Sequence, residues 1–173
     1  FSTYAVMTKE DADAAVEAQK IENAEVSGIV AKTYTGKEIT QDVVVTLGDK
    51  TLTAGTDYDV TYENNVKVGL ASVKIAGKGK YEGEITKTFK INPKSVALTS
   101  VKAQKKALKA TWKKSANKVT GYQVRYSTSK TFKTYKTANV KYTKKINSKV
   151  VKKLKSSKRY YVKVRTYTKT ANG

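Results

Sequence analysis

The sequence contains no cysteine and no histidine, and only one proline and one methionine. Thiol nucleophiles, imidazole general bases, zinc sites built on Cys or His, and disulfides are therefore excluded, and most hydrolytic machinery goes with them. Absence of cysteine does not by itself assign a compartment. Nor is there any apolar run near the roughly 20 residues that a membrane-spanning helix requires, so no membrane span is expected. The first residues lack the basic start and apolar stretch of a secretory signal, which carries little weight in a chain that reads as a fragment.

One further absence is local. Residues 1–95 hold 12 lysines and 14 acidic residues, a net charge of −2, whereas residues 96–173 hold 20 lysines, 3 arginines and no acid at all, a net charge of +23. The charge break falls beside the single proline, in "FKINPKSVALTSV". A proline directly after the strand-like "TKTFKI" suits the end of one domain and a short linker, because it cannot continue a central ladder. The boundary is placed between Pro93 and Val96.

What is present is mostly strand pattern. "DVVVTLGDKTL" sets two apolar stretches across a Gly-Asp turn,. Tyr58, Val60 and Tyr62 share one parity, as do Ala71, Val73 and Ile75, with a glycine-rich turn following. Later, Leu108, Ala110 and Trp112, then Tyr122, Val124 and Tyr126, then Tyr160, Val162 and Val164 each define an apolar face opposite a face bearing Lys, Arg or Gln. The expected fold is all-β, two tandem small β-sandwiches. Residues 1–23 depart from this. "FSTYAVM" has the alternation of a closing strand from an upstream domain, and Thr8 with Glu10 and Asp11 caps a predicted helical linker through "DADAAVEAQKI".

Residues 96–173 resemble a fibronectin type III domain. The resemblance is carried by "LKATWKK" with Trp112, by "VTGYQVRYS", and by "VVKKLKSSKRYYVKVRTY", where Leu154 precedes Tyr160 by the family's interval. It implies that Tyr160 is a corner tyrosine whose hydroxyl bonds nearby backbone. Two departures are Ser156 and Ser157 in place of the usual Pro-Gly, and the missing final strand after "TANG". Residues 24–93, through "GTDY", "YENN" and "GKGKYEG", are similar to small immunoglobulin-like repeats of secreted and surface proteins of Gram-positive bacteria. That resemblance implies extracellular, non-catalytic, repetitive architecture with neighbouring domains in the same parent protein.

Asp57 with Asp59, or Glu82 with Glu84, would stand about 6 to 7 Å apart if on strands, as a glycosidase pair might, but a small sandwich offers little cleft to raise a carboxyl pKa. "GKGKYEG" lacks the helix and the Lys-Ser/Thr of a phosphate loop. The aspartates Asp42, Asp49, Asp57 and Asp59 lack calcium-loop spacing. No catalytic residue, cofactor or metal site is therefore assigned, and the chain is not expected to be an enzyme.

The basic half remains. Arg125, Tyr161, Lys163 and Arg165 are expected on one outer face, a candidate polyanion-binding site. Since the resemblance points outside the cell, an anionic cell-wall polymer or glycan is favoured over nucleic acid. The competing function is a carbohydrate-binding accessory module of a glycan-degrading enzyme, with Tyr81, Tyr135, Tyr142 and Tyr161 as candidate platforms. A further expectation concerns the ends: "FSTYAVM" of another chain could supply the missing strand by strand exchange.

Overall fold

In the computed structural model, residues 20–170 are described. The predicted N-terminal strand, the predicted helical linker up to residue 19 and the "ANG" that closes the chain lie outside them, while Ile21, expected in that linker, is buried in the first unit's core. The described chain is all-β apart from one 3-10 turn, Ile21–Asn23. It divides into two compact units at Ile91 and Asn92, with Thr33–Thr35 belonging to the second. No helix among the described residues is long and apolar enough to cross a membrane.

The first unit contains β1 (Glu25–Ser27), β2 (Lys32–Thr33), β3 (Val44–Leu47), β4 (Lys50–Thr51), β5 (Tyr58–Glu63), β6 (Gly69–Gly77) and β7 (Glu84–Asn92). They form a three-stranded sheet, β1-β3-β4, and a four-stranded one, β2-β7-β6-β5. The predicted Gly-Asp hairpin is present, with Thr46 opposite Thr51 and Leu47 opposite Lys50. Period-2 alternation sends one side of each strand inward. Val45, Leu52, Tyr58, Val73 and Ile75 thereby form the core with Ile21 and Tyr81. The irregular stretch before β3 is fastened by two buried amides. Gln41 donates through Nε2 to the Val30 carbonyl at 2.8 Å, and Asn65 through Nδ2 to the Ile39 carbonyl at 3.3 Å. Gly28 makes the same stretch possible, since its φ is +80° and a Cβ there would overlap the Asp42 carbonyl,.

The second unit contains β8 (Leu98–Gln104), β9 (Ala107–Trp112), β10 (Gly121–Ser127), β11 (Lys136–Lys141), β12 (Ser148–Lys152) and β13 (Tyr161–Tyr167). Its sheets run β12-β9-β8 and β11-β10-β13. The predicted inward faces meet between them: Leu108, Ala110, Trp112, Tyr122 and Val124 are buried with Val140 and Val151, and Tyr126, Tyr160, Val162 and Val164 pack against them. Trp112 and Tyr122 anchor this core with ring centroids 5.1 Å apart. The Tyr160 hydroxyl accepts the Lys155 N–H at 3.1 Å, closing the corner. Ser157 stands within that corner at φ +56°, a left-handed conformation that glycine would adopt without strain,.

Candidate polyanion-binding face

β10 and β13 pair antiparallel with Arg125 opposite Lys163, Gln123 opposite Arg165 and Ser127 opposite Tyr161. Because alternate residues share a face, the register puts Arg125, Tyr161, Lys163 and Arg165 on the same side of the sheet, opposite the core. Lys163 and Arg165 are exposed, whereas Arg125 and Tyr161 are half-buried. Like charges placed directly across a strand pair are mutually destabilising. No acidic residue lies anywhere in residues 96–173 to neutralise them.

Aromatic rings take that role. The β10–β11 turn brings the Tyr135 ring under the Arg125 guanidinium, 4.6 Å from centroid to Cζ, and the Phe132 ring under the Lys163 ammonium at 4.4 Å. The two rings lie 6.5 Å apart at 51°. Each such contact is worth about 0.5–1 kcal/mol at an exposed site. Arg165 donates through Nε to the Gln123 side-chain oxygen at 2.7 Å. The Arg125 Nε is buried and has no hydrogen-bond partner. The face is thus a set of cations held in place by neutral groups, with its positive charge intact. Phe132 and Gln123 are not among the residues expected from the sequence, and Tyr135 is expected there only as a carbohydrate platform; the aromatics of "KTFKTYKT" beside a basic strand are the available signal.

The four candidate platforms fare differently. Tyr81 is only 7% exposed and belongs to the first core. Lys50 donates to its hydroxyl at 3.0 Å, a bond that holds the Lys50 ammonium above its ordinary pKa. Tyr142 is half-buried and packs on Tyr122 at 6.1 Å. Tyr81 is a correction: the folding back of the glycine-rich loop carries its ring into the core. Tyr161 is half-buried, and Tyr135 is 46% exposed.

The acidic pairs of the first unit have local partners. Asp57 accepts the Thr53 N–H at 2.9 Å, closing a turn, and Asp59 pairs with Lys78 at 3.4 Å. Glu84 pairs with Lys74. Among the described residues no group of three or more Asp, Glu, His or Cys is arranged to hold a metal.

Residues 92–173 match the family model of the fibronectin type III domain. The second unit is accordingly a fibronectin type III domain, a typical module of larger multidomain proteins. Among solved structures, the chain is similar to the crystal structure of chicken CNTN1 FN1-FN3 domains, at 16% identity and a TM-score of 0.39, covering 84% of this chain and 61% of that one. The chain thus spans less than two thirds of that structure's length. No curated protein matches it.

Proposed function

We propose that the chain is a non-catalytic part of a larger bacterial surface or secreted protein, working outside a Gram-positive cell as spacer and attachment region. In this reading residues 24–93 are an immunoglobulin-like repeat that provides reach. The fibronectin type III domain holds the protein to an anionic cell-wall polymer or glycan. The observation that carries the reading is the Arg125, Lys163 and Arg165 cluster, ordered by Tyr135, Phe132 and Gln123 within a stretch devoid of acid.

The test is binding of the whole chain to a glycerol-phosphate teichoic acid across a salt series. Three cations engaged at once predict an affinity loss of roughly 20- to 40-fold between about 50 and 200 mM salt. Replacing Lys163 and Arg165 together by Ala is expected to remove most of that dependence. Binding indifferent to both salt and these substitutions sinks the proposal. The second reading, a carbohydrate-binding accessory module, is favoured by the exposure of Tyr135 and predicts binding that persists in high salt,.

A further inference from the structure

At one end of the second unit, where β10 stops, β11 starts and the β12–β13 corner closes, two adjoining hollows of about 430 Å³ each share Leu154, Lys155 and Tyr160. Each falls within the range of roughly 300–1,000 Å³ seen for ligand pockets. Together they form a groove rather than a single pit, a shape suited to a chain-like ligand.

The floor is rigid. Tyr126 and Tyr160 stack at 6.4 Å, the Tyr160 hydroxyl is held by the Lys155 N–H, and the Leu154 N–H donates to the Lys106 carbonyl at 2.9 Å. Ser127, buried beside them, donates through its hydroxyl to the Thr134 carbonyl and fixes the turn that carries Tyr135. Tyr135 is therefore an exposed ring on an ordered wall. Around it the exposed side chains of Lys136, Lys153 and Lys155 supply positive charge with no acid to oppose it.

An apolar ring wall with cations at the rim complements a ligand that has an apolar face and acidic substituents. A pyranose bearing a carboxylate has both: its C–H face lies on an aromatic ring, and its acid meets an ammonium. Single-stranded nucleic acid would need successive stacking platforms. Here Tyr126 and Tyr160 are engaged with each other and with the core, leaving Tyr135 as the exposed ring of this groove.

We propose that this groove binds an acidic polysaccharide, seating one uronic acid ring on Tyr135 with its carboxylate among Lys136, Lys153 and Lys155. The proposal rests on the polyanion reading above and names the polymer's chemistry. It is tested on the whole chain by calorimetry and amide chemical shifts, with four probes: an oligogalacturonate hexamer, its methyl-esterified form, inorganic polyphosphate and oligo(dT). The hexamer is expected to shift the amides of Tyr135, Leu154 and Lys155. Y135A is expected to weaken it roughly tenfold. K155Q leaves the backbone corner in place and is expected to weaken the hexamer but not the ester. Unchanged hexamer affinity in Y135A, equal binding of the ester, or tighter binding of oligo(dT) each overturns the groove proposal while leaving a polyanion-binding domain. Failure of every charged probe to bind overturns the attachment reading itself.

Discussion

The two units close their turns with different chemistry. In the first, a carboxylate does it: Asp57 accepts the Thr53 N–H at 2.9 Å. In the second, hydroxyls take the same positions. Ser127 accepts from the Ser129 N–H at 2.9 Å and Thr143 from the Ile146 N–H at 3.1 Å. Asp, Asn, Ser and Thr are interchangeable in such local bonds as far as geometry goes, but only the carboxylate brings charge. A β-sandwich can thus be emptied of acid without leaving its turns open. The cost appears as unrelieved repulsion among cations, and the benefit as a positive field over a whole domain.

That contrast can be broken most sharply at Ser127. Its hydroxyl donates to the Thr134 carbonyl while accepting from Ser129, and it is 5% exposed. S127A removes both bonds, each worth about 0.5–1.5 kcal/mol, for an expected loss of about 1–3 kcal/mol in the second unit. Urea unfolding followed by the fluorescence of Trp112, the one tryptophan of the chain and a member of the second core, measures it.

A smaller effect sharpens the comparison. Salt screens repulsion in the second unit and has little to screen in the charge-balanced first. Raising salt from about 10 to 300 mM is expected to raise the Trp112-detected melting temperature by roughly 4–8 °C if it relieves about 1 kcal/mol. A transition that does not move would mean that the aromatic and amide contacts around Arg125, Lys163 and Arg165 already absorb the repulsion.

The smallest effect belongs to the first unit. Burial of Tyr58 holds its hydroxyl above the ordinary value of 10.0, with Tyr62 contributing next. The folded state binds the proton more tightly, so this stabilisation is complete below pH 10.0 and is lost as pH rises through the folded value,. Replacing Tyr58 with Phe is expected to flatten the alkaline decline in stability, read by far-UV circular dichroism between about pH 9 and 11.

Strand faces were legible in the sequence because they depend only on a period of two. The series Leu108, Ala110, Trp112 and Tyr122, Val124 point inward as their parity requires,. The same rule placed Arg125, Lys163 and Arg165 on one face, although the pairing of Arg125 with Lys163 needed the register itself. What escaped were features made by turns. Phe132 sits at φ +56°, and it is the β10–β11 turn, not any periodicity, that carries the two rings to the cations. Tyr81 was misjudged for the same reason: the loop returns through bonds from Gly77 N–H to Gly83 and from Lys78 N–H to Asp57, carrying the ring into the core. The end groove depends on the meeting of four separate chain segments and has no linear signature.

Tyr135 belongs to two neighbourhoods at once, the stack with Arg125 and the wall of the end groove. Drift at this position therefore cannot tune one surface while sparing the other. A substitution that reshapes the ring alters both together, and a compensating change near Arg125 leaves the groove uncorrected. Homologues that lose its ring are expected to have changed on both sides of it.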